Sequence, residues 1–333
     1  MKAFVVDRYL KKAPLRLGEF PKPEVGASDV LVQIHAAGVN LLDAKIRDGE
    51  FKQLLSYKLP LVLGNDVAGT VAAVGPRVSK FKAGDEVYAR PHQDRIGTFA
   101  EYIAVNEDDL ASKPKNLSMD EAASIPLVGL TAWQALVGKA QLKAGQKVFI
   151  QAGSGGVGTF AIQLAKHLGA YVATTASAAN SDLVKSLGAD LVIDYRKDDF
   201  EKILRDYDVV LNSQDKVALA KSVNVLKPGG HLISISGPPD MDFAKEQGLN
   251  FVLKQVMRAL SFSIRRQAKR KGVHYSFLFM RANGGHLGEI SALIEAGKIR
   301  PVIDRIFPFA SANEALAYVE GGRAKGKVVI KVK

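Results

Sequence analysis

The chain has 333 residues and no cysteine, and its formal net charge at pH 7 is +12. The missing thiols exclude disulfides, thiolate metal ligands and a cysteine nucleophile. A hydrophobic fraction of 47% and a charged fraction of 24% are ordinary for a globular protein and exclude wholesale disorder. No apolar run reaches the ~18 residues of a membrane span and the N-terminus does not resemble a signal peptide, so we expect a cytoplasmic protein.

The first third of the chain is rich in short strand patterns, separated by Gly, Pro and Asp. From about Asp120 onward, apolar strand patterns alternate with helical ones, among them "KVFIQA", "AYVATTA", "DLVID", "YDVVLN" and "GGHLISIS". This alternation predicts an α/β fold with a parallel sheet covered on both faces by helices.

A glycine-rich turn joins the strand pattern "KVFIQA" to a helical pattern that ends at Gly169. Gly153, Gly155 and Gly158 form a G-x-G-x-x-G motif, which in this context is typical of dinucleotide-binding folds. The three glycines permit a tight turn, approach of a pyrophosphate, and close helix–strand packing. An ordinary strand-to-helix turn of a flavodoxin-like domain is the alternative. The residues predicted to hold phosphate are Gly153, Ser154, Gly155, Gly156, Val157 and Gly158.

The tip of the second strand indicates which cofactor binds. An Asp or Glu about 20 residues after the motif usually binds the ribose diol of NAD. Here the strand ends in Val172–Ser177, and the next acid, Asp182, is expected inside the following helix. Thr174, Thr175 and Ser177 offer hydroxyls to a 2′-phosphate, so the sequence favours NADPH over NADH.

Several further motifs occur in a recognisable order and spacing. The chain resembles the medium-chain dehydrogenase/reductase superfamily over nearly its whole length, and most of all its zinc-free quinone oxidoreductase branch, which includes enone oxidoreductases. The motifs that carry the resemblance are "AAGVNLLDAKIRDG", "LPLVLGNDVAGTVAAVG", "FKAGDEVYA", "GTFAEYIAV", "AASIPLVGLTAWQAL", "LGADLVIDYR" and "RAKGKVVI".

The resemblance implies two domains with substrate bound between them. A GroES-like, β-rich catalytic domain is expected from residues 1–122 plus about 300–333. A Rossmann domain with a doubly wound parallel sheet is expected from residues 123–299, where it binds NADPH.

The resemblance also bears on metal binding. Zinc-dependent members carry a catalytic cysteine where this chain has Asn40 and a histidine where it has Asn65, and they also have a four-cysteine lobe that is missing here. The six histidines show no metal-ligand spacing. We therefore expect no metal site.

Further cofactor contacts follow from matching positions in the family. Asn40 and Thr131 are expected near the nicotinamide, Ser177 and Tyr195 near the adenine ribose, and Lys325 and Lys327 elsewhere along the cofactor. Similar members often have a lysine for the 2′-phosphate where this chain has Asn180. Asn180 either hydrogen-bonds the phosphate, with Arg196 as a substitute charge, or caps the next helix.

Without a thiolate or a metal site, hydride transfer is the chemistry that remains, because the cofactor itself carries it. A quinone or an α,β-unsaturated carbonyl (enone) suits such a site, since the developing oxyanion needs only hydrogen-bond donors. Lys45, Asp43 and Arg47 are the candidate proton donors, and Asp43 is expected to make structural hydrogen bonds instead. We predict Lys45 in that role, together with Asn40, and keep a solvated surface lysine as the alternative for Lys45.

The segment 249–272 lies in the most basic part of the chain. Residues 241–272 carry eight Lys or Arg against two acids, and the apolar residues recur at helical spacing. One interpretation is a helix whose apolar stripe packs on the Rossmann domain. Others are a lid beside the cleft, or peripheral contact with an anionic membrane.

A different functional class is a non-catalytic, NADPH-binding protein that holds RNA or another acidic partner. No RNA-binding module is visible, so we expect no nucleic acid partner. The apolar strand pattern "HYSFLFM" (residues 274–280) resembles strands that pair across a dimer axis in similar proteins, which predicts a homodimer; an interior strand is the alternative.

Overall fold

The structure is a computed structural model that describes residues 1–52, 54–55 and 57–333. It divides into two compact units. Unit 1 comprises residues 1–130 and 281–333, and unit 2 comprises residues 131–280. Among the described residues no helix is both long and apolar enough to cross a membrane.

The N-terminal part of unit 1 is mostly strand, as its sequence pattern predicts. In chain order its elements are β1 (Lys2–Val6), β2 (Arg16–Glu19), β3 (Asp29–Val39), α1 (Leu41–Arg47), β4 (Leu61–Val62), β5 (Val67–Val74), β6 (Glu86–Ala89), β7 (Tyr102–Asn106), β8 (Leu110–Ser112), α2 (Met119–Ala123) and α3 (Pro126–Trp133), which runs past the boundary into unit 2. Short 3₁₀ turns lie at Gln93–Arg95 and Glu107–Asp109.

Unit 2 alternates strands and helices. Its elements are a π-helical turn at Gln134–Lys139, β9 (Lys147–Ile150), α4 (Gly156–His167), β10 (Tyr171–Ala176), a 3₁₀ turn at Ala178–Asn180, α5 (Ser181–Ser186), β11 (Leu191–Asp194), α6 (Phe200–Ile203), β12 (Tyr207–Asn212), α7 (Lys216–Asn224), β13 (Leu226–Ser234), α8 (Met241–Glu246), α9 (Phe251–Leu260), α10 (Phe262–Arg270) and β14 (His274–Phe277).

The chain then returns to unit 1 to complete it. The closing elements are α11 (Gly284–Glu295), β15 (Ile303–Pro308), a 3₁₀ turn at Phe309–Ser311, α12 (Ala312–Glu320) and β16 (Lys327–Lys331).

Two sheets form the frame of unit 1. The smaller has the order β2-β1-β4, and the larger has the order β15-β16-β3-β5-β6-β8, with β7 also paired to β3. Strand β3 lies between β16 and β5 in the larger sheet. All of its eleven residues are buried or half-buried, and the last four are fully buried. The C-terminal β16 lies antiparallel to β3, between it and β15.

The sheet of unit 2 has the order β11-β10-β9-β12-β13-β14, and every pair of neighbouring strands is parallel. Its central strands are short apolar runs, and β12 is buried at every position, as expected for a sheet covered on both faces. The order reverses between β9 and β12, which is the topology of a Rossmann fold. The predicted fold class is therefore confirmed.

The unit boundaries differ from the predicted ones, which lie at residues 122/123 and about 299/300. Helix α11 belongs to unit 1 because the Tyr88 hydroxyl donates a hydrogen bond to the Leu287 carbonyl, at 2.7 Å. Gly284 lies so close to β8 that a Cβ there would be 2.1 Å from the Leu110 carbonyl oxygen. At the other boundary, the Leu127 N–H donates to Asp66 Oδ1 at 2.6 Å, which ties the start of α3 to unit 1.

The predicted single helix over 249–272 is wrong in two respects. The segment forms α9 and α10, which meet at Ser261. The expected packing of the apolar stripe holds for Met257 and Ile264, which are buried. It fails for Val252, Val256 and Leu260, whose side chains are exposed.

Strand β14 is shorter than the apolar pattern that predicts it, ending at Phe277. It is the last strand of its sheet and pairs only with β13 among the described residues. The interior position that we considered as an alternative is therefore wrong.

Candidate functional site

The glycine-rich turn lies between β9 and α4, and its glycines have different tasks. A Cβ at Gly153 would be 2.2 Å from Thr174 Oγ1, and one at Gly158 would be 2.3 Å from the Ala152 carbonyl oxygen. Both glycines are therefore required by packing inside the protein. A Cβ at Gly155 would meet only the Ala152 carbonyl oxygen, at an ordinary 3.4 Å, so its open side is free for a ligand.

Helix α4 supplies the donors for an anion at this turn. Its N-cap is Gly155, which has no side chain to accept hydrogen bonds from the first N–H groups. Over its twelve residues the peptide dipoles add to a positive end at Gly156, next to Val157 and Gly158. Open backbone N–H groups at such an end bind phosphate, so these residues fit the diphosphate of NADPH.

Two hydroxyls that we assigned to the 2′-phosphate are used elsewhere. Thr174 is fully buried and donates to the Ile150 carbonyl at 2.6 Å. Thr175 Oγ1 accepts from the Ala152 N–H at 3.0 Å. The prediction is wrong for Thr174, whose buried hydroxyl donates to the end of β9, whereas the Thr175 hydroxyl holds the glycine-rich turn by accepting from its backbone.

Asn180 is the N-cap residue of α5, but its side chain makes no capping hydrogen bond. Its Nδ2 instead donates to Ser154 Oγ at 3.1 Å, and its buried Oδ1 has no hydrogen-bond partner. Asn180 therefore occupies the N-cap position of the alternative, but its side chain does not cap the helix. The structure brings Asn180 and Ser154 together, 26 residues apart in sequence.

Three other predicted contacts follow strands of the same sheet. Ser177 comes directly after β10 and is half-buried, with its carbonyl accepting from the Asn180 N–H at 2.9 Å. Tyr195 follows β11 with 57% of its surface exposed. The Arg196 guanidinium lies 5.8 Å from the Tyr195 ring centroid. No acid lies between the glycine-rich motif and Asp182. This absence, with the Tyr195 ring and the Arg196 cation, favours a 2′-phosphate over a ribose diol at this end of the sheet.

A buried amide network lies where the strand order reverses, and the sequence analysis missed it. Asn212 Nδ2 donates to Gln151 Oε1 at 2.6 Å, and the Ser234 hydroxyl donates to Asn212 Oδ1 at 2.6 Å. These residues follow or end the three strands β9, β12 and β13. The sequence does carry a signal for this network, because a polar residue ends or follows each of the three apolar strands β9, β12 and β13.

In unit 1, the buried carboxylate of Asp66 organises a polar cluster. Asp66 Oδ2 accepts from Asn40 Nδ2 at 2.9 Å and from Lys327 Nζ at 3.0 Å, and Oδ1 accepts from the Leu127 N–H. Lys327 Nζ also donates to Asn40 Oδ1 and, at 3.2 Å, to the Val39 carbonyl. We call Asn40, Asp43, Asn65, Asp66 and Lys327 the Asp66 cluster.

Asp43 adds a second carboxyl to the cluster. Its Oδ2 accepts from the Asn40 backbone N–H and its Oδ1 from Asn65 Nδ2, both at 2.7 Å. Burial raises the pKa of Asp43 to about 7, against the opposing effect of these two hydrogen bonds. Asn65 Oδ1 is buried without a hydrogen-bond partner. These hydrogen bonds agree with the structural role expected for Asp43. Asp66 is not among the predicted site residues, although "GND" inside an apolar run is an unusual place for an acid.

The three candidate proton donors of α1 differ in how firmly they are held. Arg47 is buried and binds Glu320 through two hydrogen bonds of 2.7 and 3.0 Å, in addition to Asp48. Asp43 is held inside the Asp66 cluster. Lys45 is 40% exposed in its side chain, and its ion pair with Glu50 is long, at 3.9 Å.

The remaining predicted cofactor contacts are Lys325 and Thr131, one in each unit. Lys325 is exposed in the turn before β16, whereas Lys327, two residues on, points into the Asp66 cluster. Thr131 lies in α3 and is 5% exposed. Across residues 1–52, 54–55 and 57–333, no group of three or more His, Asp or Glu side chains is placed to hold a metal ion.

Known proteins match this chain over its full length. The family model described as "Alcohol dehydrogenase GroES-like domain" matches residues 26–115, and that described as "Zinc-binding dehydrogenase" matches residues 187–330. A mitochondrial NAD(P)H oxidoreductase, RTN4IP1, of Danio rerio is 36% identical, with the alignment covering 100% of this chain and 91% of that protein. The chain belongs to the medium-chain dehydrogenase/reductase superfamily.

Other superfamily members agree with the predicted branch. The chloroplastic NADPH-dependent alkenal/one oxidoreductase of Arabidopsis thaliana is 38% identical over 99% of this chain and 79% of its own length. The structure of a quinone oxidoreductase from Coxiella burnetii superposes with a TM-score of 0.88 at 33% identity, covering 100% of this chain and 99% of that one. The predicted family is thus confirmed. The zinc in the name of one family model does not fit Asn40 and Asn65, which stand at positions where zinc-binding members have ligands.

Proposed function

We propose that this protein transfers hydride from NADPH to a quinone or to an α,β-unsaturated carbonyl, without a metal. The observation that carries the proposal is the composition of the Asp66 cluster. Where zinc-dependent members polarise a carbonyl with a metal, this chain has a hydrogen-bonded cluster whose amides and ammonium, those of Asn40, Asn65 and Lys327, are bound to its own carboxylates. Such a cluster suits an acceptor whose own conjugation spreads the developing negative charge.

The oxidoreductase class and the cofactor agree with the relatives, whose names include NADPH-dependent alkenal/one oxidoreductase, 2-methylene-furan-3-one reductase and quinone oxidoreductase. When bound, NADPH supplies the hydride. The N-terminus of α4 holds its diphosphate, and the open side of Gly155 lets that group approach the backbone. Ser154, Asn180 and Arg196 receive the 2′-phosphate.

Lys45 donates the hydrogen bond or proton to the oxygen that becomes negative. It is the candidate of α1 whose charged group is least committed, because Arg47 is held by Glu320 and Asp43 by Asn65. Asn40 lies one residue before α1, and its amide is fixed by Asp66 and Lys327. Lys327 is accordingly a positioning residue, because its three donors are used within the protein.

The test is oxidation of NADPH and of NADH with a quinone, a short enone and a long-chain enone. We expect turnover with NADPH to exceed that with NADH for at least one acceptor. We expect Lys45→Met to lower kcat about a hundredfold, because a placed general acid contributes roughly 10²–10⁴. Lys11→Met, on the exposed loop before β2, is the matched control and leaves kcat unchanged.

Three outcomes would count against the proposal. Cofactor binding with no turnover on any acceptor favours a non-catalytic, partner-binding protein instead. Equal or better activity with NADH removes the cofactor assignment. Full activity in Lys45→Met leaves protonation to water and removes the role of Lys45.

Two further properties belong to this proposal. A homodimer formed through the free edge of β14 is supported by the position of that strand at the end of its sheet. A cytoplasmic location stays a prediction, since relatives carry mitochondrial and chloroplastic names.

A further inference from the structure

The outer faces of α9 and α10 expose apolar side chains densely. Of the fifteen large apolar side chains that are exposed in the described residues, five lie within residues 251–262. Their exposed fractions range from 43% for Val256 to 74% for Phe251. An apolar patch of this density on a protein surface indicates a binding site.

The exposed residues form a continuous stripe. Val252, Val256 and Leu260 are four residues apart and therefore share one face of α9. Phe251 and Phe262 are also exposed, at the first residue of α9 and the first residue of α10. The helices are held to the protein through the buried Met257 on α9 and Ile264 on α10.

Exposed basic residues lie close to this stripe in the sequence. The exposed face of α10 carries four basic residues, and α9 adds one more; they are Arg258, Arg265, Arg266, Lys269 and Arg270. No Asp or Glu occurs between Glu246 and Glu289. The two acids of the neighbouring α8 are already paired, Glu246 with Lys139 at 3.8 Å and Asp242 with Lys245 at 3.3 Å. We call the stripe and these five basic residues the α9–α10 surface.

We propose that the α9–α10 surface binds the surface of an anionic lipid bilayer. Apolar side chains that enter the acyl boundary, flanked by cations that meet lipid phosphates, are the two signals that peripheral membrane binding requires. Each basic residue near an anionic leaflet raises partitioning about fivefold. This inference does not depend on the proposed catalytic function.

A second copy of the chain fits the surface less well. In a two-fold dimer the same patch meets itself, so the basic faces of two α10 helices would lie opposite each other, and residues 247–288 supply no acid to offset them. Single-stranded RNA would satisfy the charge. It gives no reason for Val252, Val256 and Leu260, which are aliphatic and cannot stack on bases.

The test is co-flotation of the full-length protein with two kinds of vesicle. One is pure phosphatidylcholine, and the other contains two parts phosphatidylcholine to one part phosphatidylglycerol. We expect binding to the anionic vesicles, weaker binding at high salt, and little binding to the neutral ones. Failure to bind anionic vesicles at low salt overturns the proposal.

Two sets of substitutions separate the two signals. Val252→Ser, Val256→Ser and Leu260→Ser combined should lower partitioning at least about tenfold, because the apolar insertion is lost. Arg265→Gln, Arg266→Gln, Lys269→Gln and Arg270→Gln combined should abolish the preference for anionic vesicles. Val217→Ser is the matched control for the first set, being 65% exposed on α7 of the same unit, and should bind like the wild type.

Further measurements on the same variants test whether they are folded and which other partner could occupy the surface. Circular dichroism and NADPH affinity must match the wild type, which shows that the variants are folded. Wild-type binding by the serine variant overturns the proposal. Sedimentation gives a second such outcome. If the wild type is a dimer that does not bind vesicles and the serine variant is a monomer, a second copy occupies the surface and the proposal is overturned. RNA binding lost in the glutamine variant, with no vesicle binding by the wild type, identifies RNA instead.

Discussion

The two polar regions of this protein differ in how completely their groups are paired. In the Asp66 cluster of unit 1, both oxygens of Asp66 and all the donors of Lys327 are used within the protein, and only Asn65 Oδ1 is left without a partner. In unit 2, the glycine-rich turn leaves the first N–H groups of α4 uncapped, and the nearby Asn180 Oδ1 is buried and unpaired.

This difference separates fold from ligand binding. A saturated cluster stabilises the protein and orients the one or two groups at its edge, here the Asn40 amide. An unsaturated turn is completed by what binds to it. Substitutions in the Asp66 cluster should therefore lower the stability of the protein first, whereas those at the turn should lower its affinity for the cofactor. Gly158 is the exception at the turn, because a Cβ there would meet backbone and lower stability.

The largest effect is expected from breaking the buried ion pair. Lys327→Met leaves Asp66 as a buried carboxylate without its cation and should lower the free energy of unfolding by about 3 kcal/mol. Urea denaturation followed by circular dichroism measures this. Lys80→Met is the matched control, since it removes an ion pair with Asp108 whose two side chains are mostly exposed, and it should have little effect.

A double variant sharpens the same comparison. Asp66→Asn combined with Lys327→Met removes both charges, so its loss of stability should be smaller than the sum of the two single losses. Additive losses would show that the two residues stabilise the protein independently, and the cluster would not be the closed unit described here.

The next effect separates two glycines of one turn. Gly158→Ala places a Cβ against backbone and should lower the free energy of unfolding by about 2 kcal/mol. Gly155→Ala meets no close atom, so it should keep the wild-type Tm while weakening NADPH binding about tenfold. Calorimetry and fluorescence titration measure the two quantities. Gly288→Ala, in open space on α11, is the control and should leave both unchanged or raise stability slightly. An equal loss of Tm in both turn variants contradicts the division of tasks.

The smallest effect concerns the 2′-phosphate. Arg196→Ala should weaken NADPH binding about fivefold and leave NADH binding unchanged, because NADH lacks the phosphate that the guanidinium meets. Asn180→Lys should strengthen NADPH binding by a similar factor. The neighbouring Lys197→Ala serves as the control. If Arg196→Ala weakens both cofactors alike, Arg196 does not read the phosphate.

The fold was predictable from the sequence because local signals agree with it. The apolar run of β12 and the turn before α4 each specify their element without help from distant residues, and they predict the parallel sheet correctly. Asp182 lies inside α5, as the spacing indicates. The site was less predictable, because the Asp66 cluster joins residues that are 261 positions apart in the case of Asp66 and Lys327.

The errors share a physical cause. Thr174 has the right chemistry for a phosphate, but the sequence does not show which hydroxyls an inner strand needs for its own hydrogen bonds. Val252, Val256 and Leu260 have the spacing of a buried stripe, yet spacing shows only that they share a face. It does not show whether that face lies against the protein.

The position of β16 has a consequence for synthesis on the ribosome. Residues 327–331 lie between β15 and β3, inside the larger sheet of unit 1, and Lys327 is the only cation paired with Asp66 in the described structure. Unit 2 is a continuous segment that ends at residue 280, so it can fold while the chain is still being made. Unit 1 cannot close its larger sheet until residues 327–331 have left the exit tunnel. A chain that stops before residue 327 would therefore keep its nucleotide turn but lack the strand that completes the larger sheet of unit 1.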